Sequence, residues 1–182
     1  MKRFLRRLGL IAIVLVGTPV VAVLVYDVVA IVPHLDRIEA VLAAADPEDA
    51  SPPGLIRRMI DAETGGPEAQ VARMLAHRLR PDDRSGWRHL HELMLSRLLP
   101  LHLDRSRIYG LYCTMSYNGR GQGLNDFARR EFGKPLSALT PMQAATTVAI
   151  TRAPSSYLRD RGQLKQRARS LLEASTRANT SR

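Results

Sequence analysis

Apolar residues along this chain follow two patterns. Leu8 to Tyr26, LGLIAIVLVGTPVVAVLVY, is uncharged throughout, whereas from about Leu55 onward apolar positions recur every three or four residues among charged ones. The first pattern suits a helix crossing a hydrocarbon layer ~30 Å thick at ~1.5 Å per residue. Pro19 removes one donor from it, which a lipid-embedded helix tolerates when neighbouring groups satisfy the freed carbonyl. The second pattern predicts amphipathic helices. Val71, Met74, Leu75 and Leu79 share one face, behind Pro67 and ahead of Pro81. Trp87, Leu90, Met94 and Leu98 share another, and Ile108, Leu111, Tyr112 and Met115 a third that runs into Asn118-Gly119 as a stop signal. Leu124, Phe127, Ala128 and Phe132 form a fourth, closed by Gly133. Thr140-Pro-Met-Gln143 has the form of a capping box with proline in the first turn, opening a helix through Ile150. Leu164, Ala168, Leu171 and Leu172 mark a last helix. No segment sustains a period of two and no internal repeat is found, so the expected fold class is all-α.

Charge orients the chain. Lys2, Arg3, Arg6 and Arg7 precede the apolar run with no acid among them, and short flanks rich in Lys and Arg stay in the cytoplasm. The expected organisation is a cytoplasmic basic flank at 1–7, a transmembrane anchor at 8–26, and a juxtamembrane helix and linker at 27–54. A helical domain at 55–176 on the outer face and a disordered tail at 177–182 complete it. Within 27–54, DRIEAVLAAA reads as a short helix and DPEDASPPG as linker, from its Pro, Asp and Gly content. A cleaved signal peptide is the competing reading, but the apolar run exceeds the usual ~7 to 15 residues and no clean A-x-A site follows. Setting aside the four basic residues of the flank leaves 23 Lys and Arg against 17 Asp and Glu. That excess suits an anionic surface or substrate such as lipid head groups or pyrophosphate.

Several chemistries find little support. Cys113 is the only cysteine, so no intramolecular disulfide forms, and it reads as a small buried apolar residue. His89 and His91 are two apart, on different sides of a helix, and no H-E-x-x-H or cysteine cluster marks a metal site. The arginines are dispersed among acids, which argues against nucleic acid as partner.

The densest local pattern is GRGQGLNDFARREFGKPLSALTPMQAATTVAITRAPSSY, Gly119 to Tyr157. It resembles the C-terminal part of family 51 glycosyltransferases, the transglycosylase domains of penicillin-binding proteins and their monofunctional relatives. In that family a tyrosine-rich helix leads to G-R-G and then to a helix ending F-G-K. Tyr112, Tyr117, Gly119, Arg120, Gly121, Gly123, Ala128, Phe132, Gly133 and Lys134 keep the order, with one residue fewer between Gly121 and Gly123. Leu136, Leu139, Thr140, Ala144, Ala145, Ala153, Pro154, Ser155 and Tyr157 match the family's next helix and its A-P-S-x-Y exit.

Upstream, SPPGLIRRMIDAE resembles the helix that ends in the family's catalytic E-D, which puts Glu63 on the catalytic glutamate and Thr64 on the aspartate. The family's F-x-x-H-x-G and the long loop after it are absent. Gly65-Gly66 and QVARML resemble a contracted G-G-S-T-I-T-Q-Q-L-x-K-N, with Gln70 at a glutamine and Arg73 at the lysine. Trp87 to Glu92 resembles R-K-x-x-E, carried by Arg88 and Glu92. Gly110 stands at the glutamate and Thr114 at the asparagine of I-L-E-x-Y-L-N.

The resemblance, covering about Ser51 to Leu172, implies a lysozyme-like helical domain on the outer leaflet of the cytoplasmic membrane. There it would act on or bind lipid II or nascent glycan in cell-wall synthesis, alongside membrane lipid and other cell-wall enzymes. Inverting transfer needs a base for the incoming hydroxyl and cationic help for the departing pyrophosphate. The resemblance implies Glu63 as base. It leaves Glu92 two roles: orienting the acceptor, or holding a divalent cation, the one cofactor in view. Gln70, Arg73, Arg88, Arg120 and Lys134 are then the candidate substrate contacts, arginine offering a planar fork to phosphate oxygens. Gly119, Gly121 and Gly123 are a candidate anion cradle. Arg88 and Glu92 would also form an ordinary i, i+4 pair on any exposed helix. A catalytically inactive remnant serving as scaffold or regulator of cell-wall enzymes is the alternative, and glycan cleavage by a single acid a third reading.

Overall fold

A computed structural model describes residues 2–79 and 86–180; Pro81, expected as a helix stop, lies outside them. The chain divides into two compact units, residues 1–38 and 39–182.

The first unit is dominated by α1 (Lys2–Ala30), continuous through Pro19 and followed by a 3-10 turn, Val32–His34. Its helix runs past Tyr26, the last residue of the uncharged stretch, and takes in Asp27. Leu15, Val20, Val21, Leu24, Val25, Val28 and Val29 are all exposed. Among the described residues the stretch Gly17–Ala43 is long and apolar enough, by length and composition alone, to cross a membrane.

The second unit begins within α2 (Leu35–Ala43) and continues as α3 (Pro47–Ala50), α4 (Gly54–Thr64), α5 (Glu68–Leu79), α6 (Arg88–His102) and α7 (Arg105–Met115). Then come α8 (Leu124–Phe132), α9 (Pro141–Ala149), α10 (Pro154–Arg159) and α11 (Arg161–Thr180). The fold is all-α, in keeping with a lysozyme-like domain; among the described residues the only extended pairing is a single antiparallel bridge, Tyr117 to Gln122.

At the centre lies α7, buried at Ile108, Tyr109, Gly110, Leu111, Tyr112, Cys113 and Met115. Helices α3, α5 and α8 pack against it, and α9 packs against α4, α8 and α11. Thr140 and Gln143 close the expected capping box at the start of α9, the Thr140 hydroxyl accepting from Gln143 N and the Gln143 amide oxygen from Thr140 N. Cys113 is fully buried, and desolvation pushes its thiol well above the ordinary value, as suits an inert core residue.

Three local expectations are revised. The buried stripe of α6 is His91, Leu95, Leu98 and Leu99, while Trp87 and Leu90 are exposed and Met94 is half-buried. Leu90, Leu93, Met94, Leu95, Leu98, Leu99 and Leu101 surround this helix with apolar residues, so periodicity alone singles out no face. The stretch 46–54, expected as linker, contains α3. Asp46 caps it by accepting from Glu48 N at 2.9 Å, and Glu48 in turn accepts from Ser137 N and Oγ at 2.9 and 2.6 Å. The Asp and Pro content that suggests a linker here starts a helix, since both residue types favour a first turn. Finally α11 runs to Thr180, into the expected tail.

Candidate active site

Glu63 occupies the last turn of α4. Ile56, Met59 and Ile60 form the buried stripe of that helix, and three residues beyond Ile60 brings the next side chain to the same face. The Glu63 carboxylate is thereby drawn inward, with only 4% of its side chain exposed. On α11 the stripe of Leu164, Ala168 and Leu171 has Arg167 beside it, and Arg167 Nη2 donates to Glu63 Oε2 at 2.7 Å. Arg152, from the 3-10 turn Ile150–Arg152 after α9, places Nη1 3.5 Å from Glu63 Oε1. A buried carboxylate needs such partners, because an unpaired charge away from water is strongly unfavourable.

Around Glu63 opens a cleft of about 380 Å³ whose walls include Thr64, Gly66, Gln70, Arg73, Tyr112, Thr151 and Arg152. Tyr112 OH and Thr151 Oγ1 are hydrogen-bonded at 3.0 Å. Burial pushes the Tyr112 phenol up to about 12, against the bond to Thr151, which works to lower it, and with the Glu63 carboxylate, which adds to the rise. Tyr112 therefore serves the cleft as a neutral hydroxyl. Thr64, at the position where aspartate is expected, is turned to local work. Its hydroxyl lies 2.8 Å from the carbonyls of Ile60 and Gly66 and accepts from Gly66 N at 3.2 Å, which tightens the end of α4.

A second cleft, of about 500 Å³, is lined by Arg73, His77, Arg88, His89 and Glu92. Helices α5 and α6 pack side by side. Arg73 and His77 are i, i+4 on α5, and Arg88 and Glu92 are i, i+4 on α6. Arg88 Nε stands 3.4 Å from Glu92 Oε1, and His89 Nδ1 3.7 Å from Oε2. Arg73 belongs to both clefts and makes no ion pair among the described residues. Glu63 and Glu92 therefore line two hollows that share Arg73 in their walls.

For a divalent cation the fit is poor. The second cleft offers one carboxylate, already faced by Arg88 and His89, and among the described residues no group of three His, Cys, Asp or Glu side chains is placed to hold a metal ion. Hard cations take several oxygen ligands. Charge on a bound phosphate would fall to the arginines.

Of the candidate residues, Glu63, Gln70 and Arg73 meet in the first cleft, and Arg73, Arg88 and Glu92 in the second. Arg120 and Lys134 line neither and are exposed. The glycine-rich turn before α8 is occupied internally. Fully buried Asn118 accepts at Oδ1 from Arg120 N, Gly121 N and Arg130 Nη2 and donates from Nδ2 to Gly123 O and Asp126 Oδ2. Gly123 N donates to Ser116 O. These amides, expected to cradle an anion, hold the turn itself. The sequence alone does not single out Arg152 or Arg167. Arg167 had one legible sign, a charge one position from the apolar stripe of the last helix; Arg152 had none, since its turn is irregular.

Comparison with known proteins gives the same direction. The family model described as Transglycosylase matches residues 65–176. That range takes in Gln70, Arg73, Arg88, Glu92, Arg120 and Lys134 and begins two residues after Glu63. A Cupriavidus necator protein provisionally named a transglycosylase is 36% identical over 75 residues, 41% of this chain and 32% of that protein. A Nitrosomonas eutropha protein named biosynthetic peptidoglycan transglycosylase is 33% identical over 76 residues, 41% of this chain and 31% of that one. The matched stretch is thus about a third of each relative's length.

Proposed function

This chain belongs to the transglycosylase family, and on that premise we propose that it engages lipid II, or the glycan grown from it, in the two clefts that share Arg73 and acts there as a peptidoglycan glycosyltransferase. One observation carries the reading: Glu63 lies at the wall of a cleft with Gln70 and Arg73, and Arg73 also lines the cleft that holds Arg88 and Glu92. Glu63 precedes the residues matched by the family model, so its assignment rests on this placement and on the resemblance of its helix. In the transfer, Glu63 accepts the proton of the incoming sugar hydroxyl as that oxygen attacks the anomeric carbon of a second lipid-linked disaccharide. The lipid pyrophosphate leaves with its charge met by Arg73 and Arg88. Membership of the family fits a tethered protein. In the proposed arrangement α1 spans the cytoplasmic membrane with its basic flank inside and the helical domain outside, within reach of lipid-linked substrate.

The test is an assay of the purified full chain with lipid II in detergent, with and without divalent cation. Glycan chains should form; Glu63→Gln should abolish them while leaving the melting temperature close to that of wild type, because the amide keeps the shape without accepting a proton. Arg88→Ala should mainly weaken substrate binding, removing a cation without touching the base. A second reading, a non-catalytic scaffold or regulator of cell-wall enzymes, draws on the arginines that already face both Glu63 oxygens and on the absence of the family's histidine-bearing segment. No product, together with lipid II binding indifferent to Glu63→Gln, would leave that reading in place of the enzyme.

A further inference from the structure

Glu63 meets its two arginines unequally. Arg167 is two-thirds buried and 2.7 Å from Oε2, whereas Arg152 is 60% exposed with Nη1 3.5 Å from Oε1. The first is a short charge-assisted hydrogen bond; the second lies at the outer limit of one. Arg167 is fixed by its helix, beside the buried Leu164, Ala168 and Leu171. Arg152 stands on a single turn and lines the 380 Å³ cleft together with Glu63, Arg73 and Gln70. Its guanidinium makes no other ion pair among the described residues.

We propose that Arg152 is an exchangeable guanidinium, which faces Glu63 Oε1 in the unliganded cleft and transfers to the phosphate oxygens of a pyrophosphate-bearing ligand, uncovering that carboxylate oxygen while Arg167 holds the other. This deepens the reading of the Glu63 cleft as a transferase site and rests on it for the identity of the ligand. The competition favours the ligand. Pyrophosphate presents more charge and more acceptor oxygens than one carboxylate, and the guanidinium fork takes two parallel bonds to phosphate where it now makes one long bond to Glu63. The consequence is an order of events. The base is screened until the anion is seated, and Oε1 is then the oxygen that faces the acceptor, its direction set by the Arg167 bond.

The exchange is measurable without turnover, by titrating inorganic pyrophosphate calorimetrically into the full chain in detergent micelles. Arg152→Gln should weaken binding by about tenfold, as loss of one charge-assisted contact does, while Arg129→Gln, an equal change of charge on the exposed side of α8, should stay within about twofold. Glu63→Gln should tighten binding by about tenfold when Arg152 is present but by less than about threefold in the Arg152→Gln background. Only in the first case does removing the carboxylate release a cation as well as a repelling charge. Equal tightening in both backgrounds, or no pyrophosphate binding by wild type, would overturn the exchange. Should Glu63→Gln not fold, the Nε–H resonance of Arg152 in the wild type decides: a shift on adding pyrophosphate is expected, and an unmoved resonance refutes the proposal. The two readings separate cleanly. Coupled pyrophosphate binding without lipid II turnover keeps the exchange and removes the transfer reaction, whereas turnover with additive variants removes the exchange alone.

Discussion

A carboxyl group with 3% of its residue surface exposed, Asp49, holds the start of α8: Oδ1 accepts from Leu124 N at 3.1 Å and from Asn125 N at 2.9 Å. Burial is the largest influence on its acidity and raises its pKa to about 7; the Asn125 bond works against this, Asp46 with it, the Leu124 bond against and Asp126 with it. The folded state therefore binds this proton more tightly than the unfolded chain, whose carboxyl titrates near 3.8. Stability from this group is fully present below pH ~3.8 and declines as pH rises through ~7, at no more than about 1.4 kcal/mol per pH unit. Asp49→Asn keeps an acceptor for both amides and does not titrate. Its melting temperature should fall less than that of wild type between pH 5 and 7.5, and parallel curves would show that Asp49 does not carry the dependence. Nothing in the sequence announced this role: an aspartate among prolines reads as linker until the partner amides, some 75 positions away, are known.

Between elements, α3 lies close on the backbone of α7 at Gly110. A Cβ placed on Gly110 would stand 2.3 Å from the Ala50 carbonyl oxygen and 3.0 Å from Leu42 Cδ2. This accounts for glycine where the family resemblance expects glutamate: α3 lies on the helix backbone at that point and leaves no room for a side chain. Gly110→Ala must push α3 away, since the obstacle is backbone, and should cost about 1–3 kcal/mol or more as overpacking does. Chemical denaturation would read the change, and a value within about 0.5 kcal/mol of wild type would show that α3 can move without loss. The same scale explains two helix faces that differ from what spacing predicts. On α8, Leu124, Phe127 and Ala128 are buried as the spacing predicts, but Phe132 is only half-buried, packed edge-to-face on Phe127 with centroids 6.3 Å apart. It falls at the helix end, where Gly133 turns the chain away. On α6 the buried face is displaced from the expected one, because an apolar residue is available in nearly every direction and α5 selects which of them it covers.

Across the whole molecule, the proposed topology makes a direct prediction: a reporter joined after Arg182 should be active only if it functions outside the cytoplasm, since the basic flank precedes the span. Activity of a cytoplasm-only reporter would reverse the orientation, and recovery of a soluble, N-terminally trimmed form would show that the segment is cleaved. The sequence by itself determined the all-helical class, the apolar N-terminal helix, the capping box of α9, the buried stripe of α7, that of α11 except for the half-buried Leu172, and membership of the family, because each is written in local spacing or contiguous motif. Glu63 and Glu92 were also legible as candidates, one by one. Tertiary structure alone decided that Arg73 lines both of their clefts, that Arg152 and Arg167 flank Glu63, that Asn118 closes the glycine turn from within, and that Asp49 caps α8. Each of these is a meeting of charges or donors from separate elements. Hydrophobic periodicity says which side of a helix turns inward, but a polar pair forms only where packing brings two helices to the same place, and that distance is not encoded in either segment alone.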